Sequence, residues 1–130
     1  MLIYFSASIR SGRNDTENYK QLINHLENYG KVLTKHIGDK NLTSNGEVGL
    51  TDNYIFERDI SWIQDCDVFI AEVSNPSLGV GYEIRFAEDL EKRILCLYRK
   101  QEGKKLSAMI LGNPNINIHH YDTIDEALVK

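Results

Sequence analysis

Two carboxylates interrupt helix faces that would otherwise be apolar. On a helical wheel at about 100° per residue, Ile55, Phe56, Ile60, Trp62, Ile63 and Cys66 share one face, and Glu57, Ser61, Gln64 and Asp65 share the other. Asp59 falls near the centre of the apolar face. An ionised carboxylate there is costly unless it is paired, hydrogen-bonded or opened onto a pocket. A structural aspartate that caps a neighbouring loop or pairs with a buried arginine fits the pattern equally well. The run from Tyr82 to Lys92 repeats the anomaly. Glu83 shares a stripe with Phe86, Ala87 and Leu90, while Arg85, Glu88, Asp89 and Lys92 point elsewhere. Glu83 is expected to face inward from the first turn, where the macrodipole alone would favour a carboxylate. Two inward carboxylates beside small-residue loops together point to acid/base or nucleophilic work.

The loops come from DVFIAEVSNPSLGVGYEI, Asp67 to Ile84, and from SASIRSGR, Ser6 to Arg13. Val68 to Val73 reads as a buried strand, and Pro76 cannot continue it. Gly79 and Gly81 are expected in the loop ahead of the helix, where backbone can approach a ligand closely. A strand, a small-residue loop and a helix N-terminus present N–H groups to an anion. Ser8-Ile9-Arg10 and Ser77-Leu78-Gly79 are therefore candidate phosphate loops, although each could equally be a turn. Neither matches a Walker A or a G-x-G-x-x-G fingerprint, so no nicotinamide or P-loop assignment follows. His36, at a strand end, could line the site or simply hydrogen-bond. Tyr4 could pack in the core or shape a sugar pocket. Cys and His do not cluster at ligand spacing, so neither a metal nor another cofactor is expected.

The elements that must position these groups alternate along the chain. Leu2 to Phe5 is the first strand, followed by a helix capped by Asp15 and closed by Gly30. Lys31 to His36 is the second strand. The Gly-, Asn- and Ser-rich segment from Ile37 to Thr51 has the length of a lid, and Asp52 caps the helix that carries Asp59. After the central strand and the Glu83 helix come a strand over Ile94 to Tyr98, a short helix over Leu106 to Leu111 and an outer strand over Asn115 to Tyr121. Thr123 and Glu126 form a capping-box pattern for a terminal helix. Strands alternating with helices imply α/β architecture: a flavodoxin- or Rossmann-like three-layer sandwich with a five-stranded parallel sheet, residues 1–130 forming one domain. Ligands on such sheets bind beyond the carboxyl ends of the strands, near the switch in strand order.

A net charge of −4 argues against a face built for a nucleic acid polymer, while a small anion remains possible. Cys66 and Cys96 read as buried thiols of a reducing compartment. No apolar run is long enough to span a bilayer, and no signal-like region opens the chain, so a cytoplasmic protein without membrane contact is expected.

YFSASIRSGR, KVLTKH, Asp59 followed by Trp62, AEV and PSLGVGYE, with ILCL and LSAMI further on, resemble the 2'-deoxynucleoside 5'-phosphate N-hydrolases, a branch of the nucleoside 2-deoxyribosyltransferase superfamily. PSLGVGYE is the most specific piece. The resemblance implies hydrolysis of the N-glycosidic bond of deoxynucleoside monophosphates to free base and deoxyribose 5-phosphate, usually by a homodimer. It makes Glu83 the nucleophile that forms a glycosyl ester, Asp59 the carboxyl that assists base departure and orients the sugar, and Tyr4 the tyrosine beside both. It places Ser8, Ile9, Arg10, Ser77 and Gly79 at the phosphate, with Ser107 reaching that phosphate from a neighbouring subunit. His36 lies near the base, and Met109 is also among the substrate-binding positions. From their surroundings, Glu83 at a helix N-terminus is expected to stay ionised and Asp59 to hold a proton more readily. A ribonucleotide glycosidase of the cytidine monophosphate type, a deoxyribosyltransferase and a non-catalytic nucleotide-binding module are the alternatives. Only the last has no need of the carboxylate pair.

Overall fold

A computed structural model describes residues 1–9, 16–38, 49–99, 101, 103 and 105–123. Strands β1 (Leu2–Ala7), β2 (Lys31–Val32), β3 (Val68–Glu72), β4 (Arg93–Arg99) and β5 (Asn117–Tyr121) form one sheet in the order β2-β1-β3-β4-β5. Every pairing is parallel. Helices α1 (Thr16–Leu26), α2 (Asp52–Asp65), α3 (Leu78–Asp89) and α4 (Ala108–Leu111) complete the described elements, with a short 3₁₀ turn at Lys35–Gly38. The expected flavodoxin-like parallel sheet is the observed one.

Burial on both faces explains why the central strands read as continuous apolar runs. All five residues of β3 are buried. Alternation then sorts β1 between two cores. Ile3, Phe5 and Ala7 meet Tyr19, Leu22 and Ile23 of α1 on one face. Tyr4 meets Ile63 of α2 and Val80, Ile84 and Ala87 of α3 on the other. Tyr4 also stacks on Phe69 of β3, ring centroids 5.3 Å apart and planes 8° from parallel.

Four local expectations are corrected. The second strand stops at Val32 instead of His36. Beyond it the Thr34 hydroxyl takes over the ladder, donating to the Phe5 carbonyl at 2.5 Å and accepting from the Phe5 N–H at 3.0 Å. A side chain that satisfies both groups of a strand residue lets the backbone turn away, and His36 sits in the 3₁₀ turn that results. Gly30 does not close α1, which ends at Leu26. Its smallness serves close packing: a Cβ there would lie 2.3 Å from the Met1 carbonyl oxygen. Thr51, and not Asp52, caps α2, its side chain accepting from the Tyr54 N–H at 3.1 Å. Finally, α3 begins at Leu78, ahead of the expected Tyr82, because Ser77 caps it through the Val80 N–H at 3.3 Å. That cap offsets the cost of roughly 1 kcal/mol for each glycine inside a helix, so Gly79 and Gly81 belong to the helix itself. The Asp15 cap, the terminal helix after Thr123 and most of the Ile37–Thr51 segment lie outside the described residues.

Candidate active site

The sheet order reverses between β1 and β3, and the chain leaves those two strands in opposite directions. Period-two alternation along β1 turns Tyr4, Ser6 and Ser8 to the α2/α3 face as they approach this switch. Helix α3 brings Glu83 down onto them. The Tyr4 hydroxyl donates to Glu83 Oε2 at 2.6 Å, and the Ser6 hydroxyl donates to Oε1 at 2.7 Å. Each carboxylate oxygen thus has one fixed donor. The early start of α3 puts Glu83 in the second turn, which removes the first-turn macrodipole as the explanation of its presence.

Burial pushes the Glu83 carboxyl up to about 7, assisted by the charge of Asp59 and opposed by the Tyr4 and Ser6 hydrogen bonds and by Arg58. Burial, with the Glu83 and Asp59 charges behind it, drives the Tyr4 phenol far above its usual range, so Tyr4 remains a donor. Asp59 lies in an ion pair with Arg58, Nη2 to Oδ1 at 3.0 Å, and a guanidinium that close favours the ionised carboxylate. Burial thus runs against the expectation that Glu83 stays ionised, and Arg58 against the expectation that Asp59 holds a proton more readily. The wheel could show both side chains turned inward, but not that Glu83 would be enclosed by β1 while an arginine folded onto Asp59.

Tyr4, Asp59 and Glu83 therefore lie within mutual electrostatic reach. The His36 ring centroid stands 6.0 Å from that of Trp62, the ring over which the Arg58 guanidinium also lies. Ser8 is buried at the end of β1, and Ile9 packs against the α1-side core. Ser77 caps α3, and Gly79 supplies one of its first N–H groups, which have no acceptor within the helix. Arg10 lies outside the described residues. Ser107 and Met109 are not brought to Glu83. With Ser77 they line a groove of about 960 Å³ bordered by Gly81, Arg85 and Glu88 of α3, whose lining does not include Tyr4, Asp59 or Glu83. Ser107 caps α4, accepting from the Met109 N–H at 3.2 Å.

Two contributors escape a reading of motifs. Ser6 was legible in principle, since it stands two residues after Tyr4 on a strand and must share its face. Arg58 was not, because it sits off the apolar stripe. Among the described residues no His, Cys, Asp and Glu side chains are grouped to hold a metal, and no helix is long and apolar enough to cross a membrane.

A parallel sheet with a hydroxyl-held glutamate at its switch point and an ion-paired aspartate beside it is an α/β fold with its candidate site beyond the strand ends. Residues 3–116 match the family described as nucleoside 2-deoxyribosyltransferase, and the chain belongs to that family. It is 47% identical over 116 residues to the 5-hydroxymethyl-dUMP N-hydrolase of Tetraodon nigroviridis, covering 88% of this chain and 82% of that one. It is 50% identical over 111 residues to the 5-hydroxymethyl-dUMP N-hydrolase of Mus musculus, covering 85% of this chain and 64% of that one. In fold it is similar to the CMP N-glycosidase BcmB of Clostridium botulinum, with a TM-score of 0.75 at 21% identity over 99% of this chain and 95% of the other.

Proposed function

We propose that this protein is a 2'-deoxynucleoside 5'-monophosphate N-hydrolase, with Glu83 as the nucleophile. The observation that carries the reading is the carboxylate held oxygen by oxygen by Tyr4 and Ser6 at the sheet's switch point. The two hydroxyls fix the plane of the carboxylate, so attack on the anomeric carbon needs little reorganisation. Glu83 donates an electron pair to that carbon as the C–N bond breaks. The bond's electrons leave with the base, which takes up a proton. Water then attacks the same carbon of the glycosyl ester, loses a proton, and releases deoxyribose 5-phosphate and the Glu83 carboxylate. Burial that raises Glu83 also makes it a stronger base and nucleophile once ionised. Relatives about half identical in sequence and named for the hydrolysis of a deoxyuridylate support the same substrate class.

Ser8, Ile9 and Arg10 after β1, with Ser77 and Gly79 at the start of α3, form the phosphate site in this reading. His36 and Trp62 border the base. We also read the chain as one domain of a cytoplasmic homodimer in which Ser107 and Met109 complete a neighbour's site. Support comes from their separation from Glu83 within one chain and from Leu78 and Met109, which are 97% and 82% exposed.

Incubation with the four deoxynucleoside monophosphates, their ribo counterparts and the unphosphorylated deoxynucleosides, with chromatography of the released base, tests the reading. Release from deoxynucleotides alone is expected. Release chiefly from ribonucleotides would move the assignment to a ribonucleotide glycosidase, and nucleotide binding without release would favour a binding module. The shared site has its own test: mixing Glu83→Ala and Ser107→Ala proteins is expected to restore activity through hybrid dimers holding one intact site. No restoration on confirmed subunit exchange would contradict it.

A further inference from the structure

Arg58 is covered more than its place on α2 predicts. Its side chain is 14% exposed and that of Asp59 20%, whereas Phe56 on the same helix is 51% exposed. Amphipathic helices ordinarily leave arginine in water and phenylalanine inside. Successive residues on a helix diverge by about 100° and do not face each other, so pairing between positions 58 and 59 is not a default of helix geometry. The guanidinium has to fold back to make it. Rings one turn away on either side brace it there: Trp62 with its centroid 4.8 Å from the guanidinium carbon, and Tyr54 at 6.0 Å. A planar guanidinium suits such contacts, and an ammonium does not reproduce them. Both Nε and Nη2 reach Asp59 Oδ1, each at 3.0 Å.

We propose that Arg58 is a positioning residue: braced by Tyr54 and Trp62, it grips one oxygen of Asp59 and fixes the plane in which that carboxylate stands beside Glu83. What Asp59 is held for rests on the hydrolase reading; the grip itself does not. A carboxylate so held accepts hydrogen bonds instead of donating them, so its task is to orient a sugar hydroxyl or counter the positive charge that develops on the ring.

A double-mutant cycle tests this. kcat, KM and melting temperature are measured for Arg58→Gln, Asp59→Asn and the pair, with Arg58→Lys alongside. Because loss of a charge-assisted hydrogen bond typically costs a factor of about 10 to 100, Arg58→Gln is expected to lower kcat by roughly that factor with little change in KM or melting temperature. The double variant should be no slower than Asp59→Asn alone, since Arg58 acts through Asp59. Arg58→Lys should restore little, lacking the planar fork. Multiplicative losses would mean that Arg58 acts on substrate directly, and an unchanged kcat would reduce the pair to a surface contact; either overturns the proposal. Should the wild type release no base from any nucleotide, the hydrolase reading falls, and the grip is read from the carboxyl carbon of Asp59 by NMR titration. Glu83 from α3, Tyr4 from β1 and Arg58 on its own helix are among the described groups that act on Asp59. The titration is therefore run in a Glu83→Gln background. A midpoint that rises by about one unit or more on adding Arg58→Gln supports the grip, and an unmoved midpoint overturns it.

Discussion

Glu72 and Glu83 are both glutamates enclosed near the carboxyl ends of β1 and β3, and each is held by a tyrosine and a serine, yet they sit on opposite faces of the sheet and are held differently. Glu72 ends β3 on the α1 side and is 2% exposed. It accepts from the Ser74 N–H at 2.8 Å, from the Ser74 hydroxyl at 2.8 Å and from the Tyr121 hydroxyl. The Ser74 oxygen accepts in turn from the Arg99 N–H at 2.8 Å. Glu72 therefore ties the ends of β3, β4 and β5 together and fixes the start of the loop that leads into α3. Burial, with Glu72 as the second cause, raises the Cys96 thiol to about 12 and lifts the Tyr121 phenol. Glu83 instead accepts from one hydroxyl on each oxygen and lies within electrostatic reach of the Arg58–Asp59 pair. The contrast lies in the donors: a backbone N–H and two hydroxyls hold Glu72, whereas a single hydroxyl on each oxygen holds Glu83.

The largest effect expected from breaking this contrast is the loss of turnover in Glu83→Ala, by a factor of about 1,000 or more, with nucleotide binding retained in an equilibrium measurement. Substantial multiple turnover by that variant would remove Glu83 from its role. Asp59→Asn is expected to follow, with roughly 100-fold slower base release and a preserved melting transition. Glu72→Ala should invert the pattern. Removing one partner of a buried, hydrogen-bonded charge costs about 3 kcal/mol in chemical denaturation, while the molecules that stay folded keep most of their turnover.

The raised Glu83 carboxyl sharpens the comparison through pH. A nucleophile must be ionised, so kcat/KM should climb with pH and level off above about 7. Tyr4→Phe removes a hydrogen bond that lowers Glu83, which should move the acid limb upward and slow the reaction about tenfold at neutral pH. Stability runs the other way. The native state holds its Glu83 proton up to about 7, against 4.5 for an unperturbed carboxyl. Stability from this group is therefore full below pH 4.5, falls as pH rises to 7, and stays reduced above it, by an amount of order 3 kcal/mol. Glu83→Gln, which cannot ionise, is expected to unfold at higher denaturant than wild type at pH 8 and at nearly the same concentration at pH 4. A wild type equally stable at both, relative to that variant, would contradict the burial account.

The sheet was legible because its signals were strong and local: apolar strands, alternating helices, and a switch point implied by connectivity. The inward turn of Tyr4, Asp59 and Glu83 followed from period and wheel. The groups that hold their charges were not legible, because they depend on Arg58 folding back onto its neighbour and on Ser6 reaching Glu83 across 77 positions of sequence. The second strand was overextended because Thr34 imitates a backbone pair, and no β-propensity can register that. The start of α3 was missed because two glycines outweighed one capping serine. Glu72 stood inside a matched motif with no role assigned, since nothing near it in sequence announces Tyr121.

The measurement that bears most directly on the central claim is rapid acid quench during turnover of a deoxynucleoside monophosphate, followed by mass spectrometry of the intact protein and its peptides. The account predicts a transient adduct of deoxyribose 5-phosphate, less one water, on the peptide carrying Glu83, absent from Glu83→Gln. Base release at full rate with no adduct, or an adduct on another residue, would contradict it.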